Sequence, residues 1–463
     1  MNRIKSFVGD SLFRQILALS IPSMFGMFFE TIYDIINMAW VGRLSIDAVA
    51  AVTIFATIWW ILNVVNDIVG TSSVSMISQS YGSGDREKTV ETIEQTIIFK
   101  FILALVVGLL MSVLIPYVLK PLANNSEVLD MAVVFGRIRL ITLPLAFSSY
   151  TVNTALRCIG DARKPLYIMA ISSISNMILD PIMIFDRIPF IGIKGMGLGI
   201  AGAAYATVIC QTLAFFVGLY ILMSGKTFVR ISFKRGIYFV KSTDIKLLRI
   251  GFPTGIEGLL RNIASFIIMK YIAAYGIAVV AAFGICSRIA NLILMPIFGL
   301  EMGTSVIVGQ KMGAGDCATA EKAGYVTAKA SFVLMLGAAA LLVCFTKQIM
   351  GIFTNNIDII GVGVVYLRFF AVAALLAGPA AAIASVLFGS GDNLPSMLTS
   401  FVTVWVVQIP LLYIFVNILH LSVNWVWMTY ILVYAVQFSL ILYFVKRGRW
   451  KNKCIWTDTI NIK

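Results

Sequence analysis

The sequence predicts an all-α membrane protein with twelve transmembrane helices in two six-helix lobes. Two properties of the chain predict this fold class: a composition too apolar for a water-soluble protein, and a pattern of short motifs that occurs twice. Of the 463 residues, 59% are hydrophobic and only 13% carry a charge, and the mean hydropathy is +0.93. Water-soluble domains are usually about half apolar and about a quarter charged. The chain is therefore predicted to lie in a bilayer.

Apolar segments of at least 20 residues recur from residue 12 to residue 445. A helix of about 20 apolar residues crosses roughly 30 Å of hydrocarbon. Helices are expected because hydrocarbon offers the backbone no hydrogen-bond partner, so each segment must satisfy its own polar groups. The twelve predicted spans are 12–40, 46–78, 93–119, 129–156, 165–186, 197–223, 247–274, 279–309, 323–346, 359–388, 396–418 and 423–445.

Basic residues give the chain a net charge of +14 and gather at three places: the amino end, the segment after the sixth span, and the tail. By the positive-inside rule these places face the cytoplasm, which requires an even number of spans. Such residues also contact anionic lipid headgroups. We expect a multi-pass protein of the cell membrane with both termini in the cytoplasm and no nucleic-acid partner. The basic residues are Arg3, Lys5, Arg14, Lys226, Arg230, Lys234, Arg235, Lys241, Lys246, Arg249, Lys446, Arg447, Arg449, Lys451 and Lys453.

The two halves of the chain share motifs at one constant offset. "QSYGSGD" at 79–85 matches "QKMGAGD" at 310–316, an offset of 231, and the same offset aligns "LSIPS" with "IGFPT" and "IGD" with "SGD". An even number of spans in each half gives both halves the same orientation, with a pseudo-two-fold axis along the membrane normal. We predict an amino-terminal lobe over 1–225, a basic cytoplasmic linker over 226–246, and a carboxy-terminal lobe over 247–463.

Each half contains two Gly-Asp turns, which end at Asp85, Asp161, Asp316 and Asp392. Glycine permits the positive φ of a tight turn, and aspartate can cap the helix that follows. We predict a structural role for all four. "GLGIAG" at 197–202 satisfies a nucleotide-binding pattern, but it opens a membrane span instead of following a strand. Close helix packing through small residues such as Gly202, Ala203 and Ala204 is the better interpretation.

Asp180 lies inside the apolar fifth span, with Asn176 four residues earlier on the same helical face. An ionised carboxylate at mid-membrane costs about 2.5–3.5 kcal/mol on insertion scales, so it must be protonated, paired or in contact with water. A buried acid favours its neutral form and can carry a proton, and the ionised form can hold Na⁺ or an organic cation. The alternative is structural: Asp180 caps a helix broken at Pro181 or bonds a neighbouring helix.

The first span carries Glu30, Asp34 and Asn37 at positions i, i+4 and i+7, which form one polar stripe on a helix. Pro22 removes a backbone hydrogen bond eight residues before Glu30 and could kink the helix. These side chains are candidates for an ion site or a substrate cavity. Since Asp34 lies only nine residues before Arg43, an interfacial or structural role is the alternative.

In the second half, Glu257 follows Pro253 by four residues inside the seventh span. It is a candidate for the substrate cavity, although Arg261, one turn later, could simply neutralise it. Glu301 and Arg288 in the eighth span form another possible pair. No catalytic constellation is expected around the single histidine, His420, so the chain is predicted not to be an enzyme.

With these residues in view, the chain resembles the multidrug and toxic compound extrusion (MATE) family of the MOP flippase superfamily, and its DinF-like prokaryotic branch. The resemblance is carried by "SIPSMFGMFFETIYDIINMAWVG", "SQSYGSGD", "NTALRCIGDARKP", "NMILDPIMIF" and "GAAYATVI", followed in the second half by "GFPTGIEG", "GQKMGAGD" and "VLFGSGD". It covers nearly the whole chain. It implies two six-helix lobes that alternately open a cavity to either side of the membrane.

The resemblance also implies site residues. Asn176 and Asp180 match the family's Asn-x-x-x-Asp of the fifth helix, and Thr207 matches a threonine of the sixth. The family's usual first-helix acid falls on Asn37, so either Asp34 replaces it from one turn away, or Asp180 works with neutral partners. Glu257 resembles an acid of the carboxy lobe.

The resemblance implies a secondary transporter that exports cationic or amphipathic small molecules in exchange for H⁺ or Na⁺, with no other cofactor. The predicted coupling residues are Asp180, Asn176, Asp34, Asn37 and Thr207, with Na⁺ possible at Asp180 and Asn176. The predicted cavity residues are Glu30, Asp34, Asp180, Glu257 and Asn153, the last only a loose match to the family. The alternative is a flippase or exporter of a lipid-linked saccharide or another amphipathic lipid. A monomer is expected.

Overall fold

A computed structural model describes residues 11–123, 125–189, 192–225, 227–232 and 240–456. Their regular structure is helical, apart from one isolated bridge between Arg187 and Lys194. The predicted basic positions Arg3, Lys5, Lys226, Lys234 and Arg235 lie outside the described residues. The helices are α1 (Leu12–Gly42), α2 (Ile46–Gly82), α3 (Arg86–Leu119), α4 (Ser126–Ile141), α5 (Leu143–Cys158), α6 (Arg163–Ile184), α7 (Gly199–Met223), α8 (Lys241–Ala273), α9 (Ile277–Gly313), α10 (Cys317–Phe353), α11 (Ile357–Ser390), α12 (Leu394–Ile418) and α13 (Val423–Arg447).

Ten of these described helices are long and apolar enough to cross a membrane. The predicted span 129–156 is not a single helix, because α4 and α5 meet at Thr142 and contain 16 residues each. Pro144 lies in the first turn of α5, where its missing N–H is tolerated. If α4 had continued through this position, the helix would have lost a hydrogen bond there. Helix α8, which contains most of the predicted span 247–274, is also not among the ten. The charges of Glu257 and Arg261 lower its hydropathy.

The described chain forms two compact units. One is Phe25–Gly251, and the other combines residues 11–24 with residues 252–456. Helix α1 therefore contributes its first half to the second unit and its remainder to the first. The predicted lobe limits, 1–225 and 247–463, stay a prediction.

The core of the first unit is apolar and closely packed. Phe55 of α2 lies edge-to-face against Phe135 of α4, with ring centroids 5.4 Å apart. Gly136 permits this approach, since a Cβ there would lie 2.8 Å from Cδ2 of Phe55. In the second unit, α11 packs against α9, α10 and α13.

Small residues bring α7 close to α6, as the sequence predicts for "GLGIAG". A Cβ on Gly202 would lie 2.4 Å from the carbonyl oxygen of Met183, and Ala203 and Ala204 are fully buried. The motif is therefore a packing surface of a helix, as expected for small residues between apolar helices.

All four Gly-Asp turns place their glycine at positive φ, between 78° and 86°. Asp85 and Asp316 then cap the next helix, accepting hydrogen bonds of 2.9 Å from the backbone N–H of Lys88 and Thr319. The capping prediction is wrong for Asp161 and Asp392, which precede the N-cap residue by one position. At Asp161 the reason is Pro165. If Asp161 were the N-cap residue, its carbonyl oxygen would accept the first hydrogen bond of the helix from the backbone N–H of residue 165, and proline has no N–H.

Replacing Asp316 with alanine removes the acceptor for Thr319 and is expected to lower the free energy of unfolding by about 1 kcal/mol. Asp316→Asn keeps an acceptor and should cost less. Hydrogen bonds from Thr319 hold the pKa of Asp316 below its usual range. The carboxylate's stabilisation is thus full above about pH 4 and lost as the pH falls through the lowered native pKa.

Thermal unfolding of the purified protein in detergent, at neutral and at acidic pH, measures this contribution. Asp130→Ala is the control, because Asp130 is an exposed acid inside α4 and not an N-cap residue. Equal unfolding temperatures for Asp316→Ala and Asp316→Asn would contradict the capping role.

Candidate functional site

Helix α6 carries the central carboxylate of the first unit. Asp180 is 0% exposed and Asn176 is 2% exposed, although both are polar. The helix continues through Pro181 and ends at Ile184, so Asp180 does not cap a helix broken at that proline. The expectation that remains is a partner on another helix or a bound ion.

Asn37 of α1 provides that partner. Its Nδ2 donates a hydrogen bond of 3.0 Å to Asp180 Oδ2. The other carboxylate oxygen, Oδ1, is buried and has no hydrogen-bond partner among the described residues. One oxygen is therefore held by a neutral amide, and the other is available to a proton or a small cation.

Two more hydroxyl groups lie on the neighbouring helices. The hydroxyl oxygens of Tyr33 on α1 and Thr207 on α7 are 3.0 Å apart and share a hydrogen bond. Thr207 also donates to the carbonyl oxygen of Ala203 at 3.0 Å. Because Tyr33 lies one turn before Asn37, α1 is bonded to α6 and α7 at adjacent levels.

The carboxamide of Asn176 completes the oxygen donors beside Asp180. It lies close to the thiol of Cys210, and neither its oxygen nor its nitrogen makes a well-formed hydrogen bond within the described chain. Carboxylate, carbonyl and hydroxyl oxygens are the ligands that hard cations prefer. Asp180, Asn176 and Thr207 could therefore hold Na⁺, and Asp180 alone could hold a proton.

A half-buried cation faces this group of side chains. The Arg139 guanidinium of α4 lies 4.3 Å from the ring centroid of Trp59. Its charge also acts on Tyr33, Asp34 and Asp180. This arrangement limits the net negative charge around Asp180.

Asp34 lies beside Arg139, and neither first-helix acid makes a hydrogen bond to Asp180 among the described residues. Glu30 and Asp34 have exposed side chains and interact electrostatically with one another, and Asp34 interacts with Arg139. Of the three stripe residues, only Asn37 contacts Asp180. Asn153 of α5 has a buried Oδ1 without a hydrogen bond among the described residues, and no hydrogen bond joins it to Asp180.

Glu257 lies in the second unit, where Arg261 neutralises it. Arg261 Nη2 is 2.7 Å from Glu257 Oε1, and the Ser400 hydroxyl donates to the same oxygen at 2.6 Å. The Arg261 side chain is 62% exposed, so solvent can screen the pair. Glu257 Oε2 is buried without a partner in the described chain, and Glu301 interacts with both charges.

Sequence reasoning did not single out Tyr33 or Arg139. The signals were present, since Arg139 is a basic residue inside the predicted span 129–156, and Tyr33 immediately precedes Asp34. A charged residue within a membrane span is expensive unless it is paired or functional.

The fold and the site define a class: an α-helical membrane protein with polar side chains buried between its helices. The MatE family model matches residues 22–182 and 253–414, which is more than half of the sequence. The chain belongs to the MatE family. It is therefore a membrane transporter and not an enzyme.

Individual relatives are similar over almost their whole length. The chain is 26% identical over 448 residues to the probable multidrug resistance protein YoeA of Bacillus subtilis strain 168, covering 96% of each chain. It matches an outward-facing multidrug resistance MATE family transporter with a TM-score of 0.87 and 25% identity, over 96% of this chain and 97% of the other.

A third match is a MOP superfamily transporter of Pyrococcus furiosus Vc1, described with a binding pocket of reverse polarity. Its TM-score is 0.86 at 25% identity, over 96% of this chain and 97% of the other. These similarities confirm the predicted all-α MATE fold. The assignment to a DinF-like branch stays a prediction.

The hydrogen bond between Asn37 and Asp180 can be measured with a double-mutant cycle. Asn37→Ala, Asp180→Ala and the double variant are expected to show a coupling free energy of about 1–3 kcal/mol, because hydrogen bonds to charged groups contribute in this range. Equilibrium unfolding in mixed micelles gives the four values. Pairing Asn37→Ala with Ser400→Ala, in the other unit, is the control. A coupling below about 0.5 kcal/mol would contradict the contact.

Proposed function

We propose that this transporter exports organic cations and other amphipathic small molecules in exchange for H⁺ or Na⁺, with Asp180 as the coupling site. The observation that carries the proposal is the environment of Asp180: a fully buried carboxylate with one oxygen bonded to Asn37 and the other without a partner in the described chain. Such a group is costly to keep in a membrane span, and this cost supports a functional role for it.

The exchange follows from the charge on Asp180. When the carboxylate is ionised, it attracts an organic cation in the surrounding low-dielectric medium. When it binds a proton or Na⁺, its charge is neutralised and the attraction is lost. An ion that binds one conformation better than the other shifts the population between them. We propose that two lobes provide those conformations by alternating access.

We propose which residue of the first helix is the partner of Asp180. Asn37 bonds Asp180 directly, whereas Asp34 interacts with Arg139. This supports the possibility that Asp180 works with neutral partners, namely Asn37, Asn176 and Thr207. Asp34 then balances the charge of Arg139.

The substrate class is proposed from the acids and from the relatives. Glu30 and Asp34 have exposed side chains on the same helix as Asn37, and carboxylates attract cations and repel phosphates. The relatives named above include a probable multidrug resistance protein and a multidrug resistance MATE transporter. These features favour cationic compounds over the phosphate of a lipid-linked saccharide.

Replacing Asp180 with asparagine is expected to abolish coupling while preserving the size of the side chain. In proteoliposomes, ion-driven efflux of tetraphenylphosphonium should fall about tenfold or more, since a lost interaction of 1.4 kcal/mol corresponds to a factor of ten. Proton and Na⁺ gradients are imposed separately, and the gradient that drives efflux identifies the coupling ion.

Asp130→Asn is the matched control, because Asp130 is an exposed acid of the same unit, and it should retain wild-type efflux. Full gradient-driven efflux by Asp180→Asn would refute the assignment of Asp180. Absence of efflux by the wild-type protein under either gradient would refute the antiport function itself.

A further inference from the structure

Another charged side chain of the first unit is buried, and the proposed exchange at Asp180 does not use it. Lys100 lies in α3 and is 1% exposed. Its Nζ has no hydrogen-bond partner among the described residues. An ammonium group has three donors and is strongly hydrated in water, so burial without a hydrogen bond is costly. The site around Lys100 must compensate in another way.

Aromatic rings provide part of that compensation. Lys100 Nζ lies 4.7 Å from the ring centroid of Tyr150 and 5.9 Å from that of Phe147, both on α5. Gly70 of α2 leaves room for this approach, because a Cβ there would lie 3.2 Å from Tyr150 Cε1 and 3.8 Å from Lys100 Nζ. A cation over an aromatic face is attracted by the quadrupole of the ring.

A carboxylate provides further compensation for the buried charge of Lys100. Asp67 of α2 interacts electrostatically with Lys100, and Tyr150 interacts with both Asp67 and Glu30. Asp67 and Glu30 have exposed side chains, whereas Lys100 is buried. A molecule that reaches the two acids therefore meets them before it meets the lysine.

Aromatic faces beside carboxylates are also what an organic cation needs. In this unit, however, the protein places its own ammonium group there. A second positive charge at the same position would be repelled by Lys100. The incoming cation and the proton on Lys100 thus compete for one set of partners.

We propose that Lys100, Asp67 and Tyr150 form a second cation site, the Lys100 site, which takes an organic cation when Lys100 gives up its proton. The N–H bond of Lys100 Nζ breaks, its electron pair stays on the nitrogen, and the proton passes to water. The organic cation replaces the lost charge, so the net charge of the site is unchanged. The inference rests on the proposed function and adds to it a place where substrate is exchanged for a proton.

Three helices pack against α3, namely α2, α4 and α5, and Glu30 of α1 acts on Tyr150. Asp67 faces Lys100 from α2. Arg157 of α5 acts on the hydroxyl of Tyr150, and Arg139 of α4 acts instead on the group around Asp180. Within the described chain, Asp67 is thus the charge that acts on the Lys100 ammonium.

The test measures protons released when tetraphenylphosphonium binds the purified full-length protein in detergent. This probe has a permanent charge and no proton of its own, so any proton that appears comes from the protein. A pH indicator in weakly buffered solution reports the release between about pH 6 and pH 9. The variants are Lys100→Met, Lys100→Arg and Asp67→Asn, with Lys120→Met as the control at an exposed lysine after the same helix.

Wild-type protein and Lys120→Met are expected to release about one proton more per bound cation than Lys100→Met. Lys100→Arg should also lack this proton, since arginine stays charged, and should bind the probe about tenfold more weakly. Asp67→Asn should weaken binding of the probe as well.

If Lys100→Met and Lys100→Arg both release as many protons as the wild type, the Lys100 site is refuted while the proposed function stands. Lys100→Arg keeps a cation in place if Lys100→Met fails to fold. If the wild type neither binds nor transports the probe, the proposed function is refuted, and the Lys100 site with it.

Discussion

The burial of Asp180 is the constraint on which the functional part of the first unit depends. A carboxylate between apolar helices requires a donor, and Asn37 supplies it at 3.0 Å. That bond fixes α1 against α6, and the bond between Tyr33 and Thr207 fixes α1 against α7 one turn away. Three helices are thus held around one ionisable group. A change in its charge changes the balance of forces between them.

Electrostatic interactions extend from this group towards the Lys100 site. Tyr33 interacts with Asp180 and Asp34, and Asp34 with Glu30. Tyr150 interacts with Glu30 and Asp67, and Asp67 with Lys100. If both proposals hold, the organic cation and the coupling ion need not share one position, because a charge at one end of this series alters the cost of a charge at the other.

Much of the fold could be predicted from the sequence, because membrane spans and tight turns have local causes. Long apolar segments, and glycines at positive φ before aspartate, lie where the sequence places them. The sequence prediction missed the break at Thr142. Apolar composition alone does not show that α4 ends there and that a new helix, α5, begins with a proline in its first turn. The misplaced cap at Asp161 has a similar origin in Pro165.

The candidate site was predictable only in part. Asn176 and Asp180 are visible as polar residues in an apolar span, but their partners come from other helices, and spacing within one helix does not determine such pairs. For this reason the choice between Asn37 and Asp34 stayed open. Arg139 and Lys100 were overlooked because each lies in a long segment that is otherwise mainly apolar, and only the packing shows which acids they face.

The central claim, that Asp180 couples the ion to export of the organic cation, is tested most directly by reversing the driving force. A gradient of tetraphenylphosphonium across proteoliposomes should drive H⁺ or Na⁺ in the opposite direction, against that ion's own gradient, because coupling is reciprocal. The account predicts this uphill ion movement for the wild type and its loss in Asp180→Asn. Equal uphill movement of the ion by the two proteins would contradict it.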